Sequence, residues 1–297
     1  MGLAWGASPL LSLIDLMVLV ALSFTIINLS SAIGAQVNTI YDHELDSRDD
    51  RKKSLVRALS DFGQRRVKRL LLAEFLFALS LVSLLLVITG KPILLFMWVA
   101  GISLGYLYSA PPLRIKARSW LAPFTLILVL AIFPVLFEYY IFSSVLKPLF
   151  LVSLAGLAMT VYGVIIPTEI RDYFVDKAME IETMTVRLGL VKASLLSILL
   201  LSGGGIFVGA AFFLELAYSF RSAWGFSVLT LAVADYIALR RFRKLYCLSK
   251  EYASSRDQGS IEKDIVSLSA HNPRWIMLVT QTYSLLSIIL LMSRFLP

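Results

Sequence analysis

Runs of about 20 apolar residues, the length a helix needs to cross a bilayer core, recur along this chain with charged connections between them. A backbone in hydrocarbon must satisfy its own hydrogen bonds, which leaves helices and closed barrels as the spanning structures. These runs are continuous rather than alternating in polarity, so they read as helices and not as barrel strands. Eight spans are expected, at about 10–36, 69–89, 92–109, 120–139, 149–167, 193–217, 222–239 and 275–295. The first is long for a cleaved signal and shows no small-residue cleavage site, so it is read as a retained span. The expected fold class is therefore an all-α polytopic transmembrane helical bundle. With no Pro/Gly/Ser-rich linker to divide it, the chain reads as a single domain over 1–297.

The formal net charge of +8 would, in a soluble protein, raise nucleic acid as a partner. Its distribution points to the lipid bilayer instead. If the connection after the first span faces the cytoplasm, 24 of the 28 Lys and Arg residues fall in cytoplasmic segments, leaving Lys91, Lys147, Arg221 and Arg294 on the other side. That is the positive-inside asymmetry, and it places both termini outside a cell membrane. The three long polar connections then all face the cytoplasm, and the working surface is expected there. Cys247 is the single cysteine, and His43 and His271 are the two histidines. A disulfide framework and a Cys/His zinc site are both excluded within one chain, so any metal must be held by oxygen.

Two polar connections look alike. Asn38-Thr-Ile-Tyr-Asp42-His-Glu-Leu-Asp46 follows the first span, and Glu169-Ile-Arg171-Asp172-Tyr-Phe-Val-Asp176 follows the fifth. Residues four apart share a helix face. Asn38, Asp42 and Asp46 therefore form one ladder, and Asp172 and Asp176 a second. One lies in each half of the chain, about 1–119 and 120–297, which suggests a pseudo-repeat whose aspartates meet across a central cavity. A lone DxxxD at the end of a span is usually a solvated interface. Two of them supply four carboxylates and an amide oxygen for hard cations. Mg²⁺ binds through one or two carboxylates plus substrate phosphate oxygens, so a diphosphate bridging two ions is the natural ligand. Lys53, Arg114, Lys116 and Arg171 are the cations placed to complete a diphosphate clamp. Lys116 has the strongest case, because Pro111 and Pro112 stop the third span and fix the turn that carries it, with Tyr108 at the membrane edge.

Two rivals share parts of this pattern. A CDP-alcohol phosphotransferase is also a Mg²⁺-dependent membrane bundle rich in aspartates, but its tightly spaced Asp-Gly/Ala-Arg pattern is absent here. An ion-coupled transporter would place its aspartates near the bilayer midplane beside an interrupted helix. Both ladders here fall at span ends, which favours an enzyme.

Asn38-x-x-x-Asp42-x-x-x-Asp46, the Tyr108–Lys116 segment, Arg171-Asp172-x-x-x-Asp176 and Thr183-Met-Thr-Val-Arg187-Leu-Gly189 together resemble the UbiA superfamily of intramembrane prenyltransferases. The resemblance implies a bundle, usually of nine spans, with a central cavity open to the cytoplasmic side and laterally to lipid. It implies an allylic isoprenyl diphosphate donor, from geranyl to geranylgeranyl or longer, held by two Mg²⁺ ions. The prenyl group would pass to a lipophilic or aromatic acceptor by way of an allylic carbocation. By the same resemblance Asn38, Asp42, Asp46, Asp172 and Asp176 are metal and diphosphate ligands, and Tyr108 and Lys116 assist ionisation. The chain also departs from the family pattern. No counterpart is expected here of the helix that usually precedes the span ending in the first motif, and Lys53 of Arg51-Lys52-Lys53-Ser54-Leu55 stands where an arginine is usual. Thr168-Glu169 replace common asparagines, and Glu180 a common glycine.

Asp235 lies deep in the seventh span, where an ionisable residue is costly and normally faces the bundle interior. Asp15, Glu74 and Glu215 fall near span ends and read as interfacial. Gly203-Gly204-Gly205 is no phosphate loop, lacking a following Gly-Lys-Ser/Thr, and is expected to permit close helix contact. The basic segment 240–274 is expected to lie against anionic headgroups.

Overall fold

The structure, a computed structural model, describes residues 1–7, 12–47, 53–219, 223–255 and 258–295. Arg51, Lys52 and Arg221 lie outside these, as do the first residues of the expected first and seventh spans. Every regular element described is helical. In order they are α1 (Gly2–Gly6), α2 (Leu13–Asp46), α3 (Lys53–Phe62), α4 (Gln64–Thr89), α5 (Pro92–Ser109), α6 (Leu121–Ile127), α7 (Phe133–Phe142), α8 (Pro148–Ala178), α9 (Met184–Leu188), α10 (Leu190–Ser219), α11 (Ala223–Ser254), α12 (Gln258–Ala270) and α13 (Asn272–Phe295). A π-helical stretch, Leu128–Ile132, joins α6 to α7. Seven helical segments of the described chain are long and apolar enough to cross a membrane: Leu13–Glu44, Gln64–Thr89, Pro92–Ser109, Leu121–Phe142, Pro148–Ala178, Leu190–Ala217 and Met277–Arg294. The expected seventh span, 222–239, is helical from Ala223 as the start of α11.

The helices that carry the two aspartate ladders, α2 and α8, are both longer than a bilayer core requires. At 1.5 Å per residue, the 34 residues of α2 extend about 51 Å and the 31 of α8 about 46 Å. A hydrocarbon core of about 30 Å takes some 20 residues of each. The remaining turns, which carry the aspartate ladders, therefore continue beyond the apolar stretch as rigid helix rather than loop.

The chain divides into two compact units, Leu10–Lys116 and a second made of Met1–Pro9 with Ala117–Pro297. In the first unit α2 packs on α4 and α5. Trp98 of α5 donates its indole N–H to Ser30 of α2 at 3.0 Å and stacks on Phe75 of α4. Gln36 of α2 donates to the Glu74 carboxylate of α4 at 2.6 Å, so Glu74 serves a helix contact. Helix α3 is amphipathic: Leu55, Leu59 and Phe62 fall on one face at i, i+4, i+7, with Leu59 buried.

The second unit is built on α8, which packs mainly against α10. The two backbones approach where glycines face each other. A Cβ on Gly204 would meet the Thr160 hydroxyl, and would stand 2.6 Å from the Gly156 carbonyl oxygen. The Gly203-Gly204-Gly205 run thus permits the close helix contact expected of it. Gly205 leaves the room that the Asp235 carboxyl of α11 occupies, so Asp235 faces the bundle interior. The short helix α1 was not foreseen. Trp5 is fully buried against Phe150 and Phe212, and Arg294 of α13 donates to the Trp5 and Ala7 carbonyls at 2.8 and 3.1 Å. Arg294 also pairs with Glu215 at 3.0 Å, so these two charges are tied together. The basic segment 240–274 continues α11 to Ser254 and then forms α12, whose Ile265 is fully buried.

Adding a methyl at the α8–α10 crossing should overpack it. Gly204→Ala is expected to destabilise the protein by about 1–3 kcal/mol, read as a lower thermal midpoint in detergent. Gly34→Ala, whose new methyl would meet nothing within 4 Å, should leave the midpoint unchanged or slightly higher. Equal midpoints for Gly204→Ala and the parent would show that the crossing is not tight.

Candidate active site

The N-terminal unit brings pieces of two distant motifs together. Asn38, Asp42 and Asp46 occupy the last turns of α2 on one face. Asp42 and Asp46 are buried, each 7% exposed. After α5 ends at Ser109 the chain turns through Pro111-Pro112, whose peptide is cis, and the Arg114 N–H closes the turn on the Ala110 carbonyl at 3.0 Å. Arg114 sits at φ 41°, in the left-handed region, a conformation costing about 1–2 kcal/mol for a residue with a Cβ. The turn delivers Lys116 onto the Asp42 carboxylate, and Arg114 reaches the same oxygen at 3.7 Å.

Ser109 donates its hydroxyl to the Asn38 side-chain oxygen at 2.8 Å. This contact ties the end of α5 to the first residue of the ladder. Ser109 was missed by sequence reasoning, although it stands inside the Tyr108–Lys116 segment. A second brace joins the same helices, since the Tyr41 and Tyr106 hydroxyls lie 2.9 Å apart with their rings edge to face. Tyr108 is half-buried in the last turn of α5, and Lys53 opens α3 as an exposed residue.

The C-terminal unit carries the second ladder on the final turns of α8. Pro167 lies inside this helix. Asp172 and Asp176 are both half-buried. Arg171 folds its guanidinium over its neighbour, donating from Nε and an Nη to the two Asp172 oxygens at 3.0 Å each. This two-pronged fit orients the carboxylate and is the geometry a lysine cannot supply.

The Thr183–Gly189 motif forms α9 beside this ladder. Thr183 caps the helix by accepting the Val186 N–H, and Gly189, at φ 76°, turns the chain into α10. Thr185 is buried and donates to the Glu169 carboxylate at 2.6 Å. This contact also escaped the sequence reading, because the two residues belong to different motifs.

The donor set suits a hard cation. The ladders present carboxylate and amide oxygens alone, and among the described residues no three acidic, histidine or cysteine side chains gather into a protein-only cage. A pair of carboxylates that leaves the remaining positions to phosphate oxygens and water is how Mg²⁺ is ordinarily held. In the structure Lys116 and Arg114 place positive charge against the buried Asp42 carboxylate.

Residues 1–251 match the model of the UbiA prenyltransferase family. No curated protein matches the sequence significantly. The fold is similar to that of a UbiA homolog from Archaeoglobus fulgidus bound to DMAPP and Mg²⁺, with a TM-score of 0.62 and 16% identity over 94% of this chain and 92% of that one. The form of that homolog bound to Cd²⁺ gives 0.61 and 15% over the same shares. A structure described for digeranylgeranylglyceryl phosphate synthase gives 0.63 and 14%, covering 97% of this chain and 90% of that one. At such identities the structural likeness speaks for the fold, while the family model spans most of the sequence and includes both aspartate ladders. The chain belongs to the UbiA prenyltransferase family.

Proposed function

We propose that this protein transfers a prenyl group from an allylic isoprenyl diphosphate to a lipophilic or aromatic acceptor, with two Mg²⁺ ions held by the ladders and bridged by the diphosphate. The observation that carries the reading is the convergence on α2: Ser109 meets Asn38, and Lys116 with Arg114 meets Asp42. Buried carboxylates with an amide oxygen and two cationic side chains beside them suit a metal diphosphate. Similarity to a homolog bound to DMAPP and Mg²⁺ supports an allylic diphosphate as donor. The whole chain, 1–297, is read as one prenyltransferase domain, with its site on the cytoplasmic side of the cell membrane.

Asn38, Asp42 and Asp46 would hold one ion and Asp172 and Asp176 the other. When bound, Mg²⁺ supplies positive charge against the charge that builds on the leaving diphosphate. The residues of the chain do the rest. Lys116 and Arg114 release Asp42 and donate to diphosphate oxygens, an exchange of one charge-assisted contact for another that needs little reorganisation. Arg171 holds the Asp172 carboxylate in place through its two-pronged bond. Tyr108, at the membrane end of the turn, donates its hydroxyl to the departing oxygen. Lys53 offers a further charge at the start of α3. The apolar walls exclude water that would otherwise capture the allylic cation, and they admit a hydrophobic chain from the bilayer. Geranyl to geranylgeranyl or longer donors fit this route.

Purified protein incubated with radiolabelled geranylgeranyl diphosphate, Mg²⁺ and a panel of acceptors should yield prenylated product, and chelation should abolish it. Asp42→Ala and Asp172→Ala should each lower the rate by about 10²–10³-fold, the usual effect of removing one stabilising group from a charged transition state. Transfer indifferent to chelation and to both substitutions would exclude the proposed site. Lys116→Ala should lower kcat by about 10²-fold, with Lys116→Arg retaining more activity. A Lys116→Ala enzyme as fast as the parent would remove that lysine from the ionisation step.

A further inference from the structure

The second ladder has a third carboxylate. Glu169, Asp172 and Asp176 follow one another at i, i+3, i+7 along α8 and so share one helix face. Glu169 stands toward the apolar stretch of that helix, about 4.5 Å farther along the axis than Asp172. It is half-buried, and Thr185 of α9 takes one of its carboxyl oxygens at 2.6 Å. Thr185 is itself 1% exposed and belongs to a helix whose start is fixed by the Thr183 cap. Glu169 is thus a carboxylate held rigidly one turn deeper than the proposed diphosphate ligands. No role proposed above uses it.

Its depth matches the point where the reaction needs a base. A diphosphate at the level of Asp172 and Asp176, with its chain running into the apolar region, places the reacting carbon on the membrane side of the phosphates. We propose that Glu169 accepts the proton of the acceptor atom that captures the prenyl group, which makes the acceptor a protic nucleophile, either a hydroxyl or an activated aromatic ring. This inference rests on the prenyl transfer proposed above. In that step the C1–O bond breaks and its electron pair leaves with diphosphate. An electron pair of the nucleophile forms the new bond to C1, and the proton on the nucleophile passes to the Glu169 carboxylate. Glu169 returns the proton to solvent when product leaves, so the protein ends the cycle unchanged. A water-poor site has no bulk base to do this, which is why a positioned carboxylate matters there.

Glu169→Gln tests the assignment, since the amide oxygen can still accept from Thr185 while the side chain can no longer take a proton. The full-length protein in detergent is assayed with geranylgeranyl diphosphate, Mg²⁺ and four acceptors: hydroxybenzoate, naphthoate, homogentisate and a prenylated glycerol phosphate. Two quantities are read, kcat for transfer and the Kd of a non-ionisable thiolo analogue of the donor. The expected result is a kcat lower by about 10²-fold or more, a donor-analogue Kd within about threefold of the parent's, and partial recovery in Glu169→Asp. Thr185→Val, which removes the positioning bond and keeps the side chain's size, should lower kcat by about tenfold with the same unchanged Kd. Parental kcat in Glu169→Gln and Thr185→Val overturns the inference while leaving the prenyl-transfer reading intact. So does loss of donor-analogue binding in Glu169→Gln, which would make Glu169 part of the metal site. A parent protein that transfers no prenyl group to any of the four acceptors overturns both.

Discussion

Burying the Asp42 carboxylate costs several kcal/mol unless a positive charge meets it, and the N-terminal unit is arranged around that requirement. The carboxylate is presented by a helix that continues past the membrane core, so its position is fixed by backbone hydrogen bonds rather than by a loop. The compensating charge arrives from Lys116, at the far side of the Pro111-Pro112 turn. Between the two, Ser109 on Asn38 and Tyr41 on Tyr106 lock α2 to α5, so the lysine is delivered by a braced turn. The left-handed backbone at Arg114 is a local cost that the tertiary contacts offset.

The C-terminal unit supports its ladder differently. Its anchor is apolar and steric: α8 and α10 approach to backbone contact at Gly156 and Gly204, which leaves little freedom for the helix that ends in Asp172 and Asp176. Close approach through small residues is the usual means of holding helices where lipid provides no hydrophobic drive to associate. Buried hydroxyls add to it, with Thr160 bonded to Tyr283 at 2.7 Å and Ser197 to the Gly163 carbonyl at 2.6 Å. α8 continues as helix past Pro167 to Ala178, so the ladder lies on the same element as the crossing.

The features legible in the sequence are those whose physics is local. Spans follow from apolar length, and ladder faces follow from the four-residue repeat. The prolines after Ser109 end α5 where their missing N–H and fixed φ require it. What escaped depends on contacts between distant residues. The prolines single out the turn that carries Lys116, but that Asp42 in particular receives its ammonium is decided by how the turn folds back on α2. Thr185 and Glu169 are 16 residues apart and meet only because α9 folds back on α8. Five-residue α1 has too few hydrogen bonds to signal itself, and it exists through the burial of Trp5 and the carbonyl contacts of Arg294. α3 and α12 are short and polar, so they read as connection rather than helix.

The likeness of the two DxxxD motifs also conceals an electrostatic difference. On α2 the flanking group is a neutral amide, Asn38, and Asp42 already has both Lys116 and Arg114 against it. On α8 the flanking group is a third acid, Glu169, its partner is an uncharged hydroxyl, and the guanidinium of Arg171 is committed to Asp172. The two ladders therefore differ in what flanks them, an amide and two cations on α2 against an acid and a hydroxyl on α8. The motif that makes the two segments look equivalent thus specifies only spacing, and the chemistry each can perform is set by residues outside it.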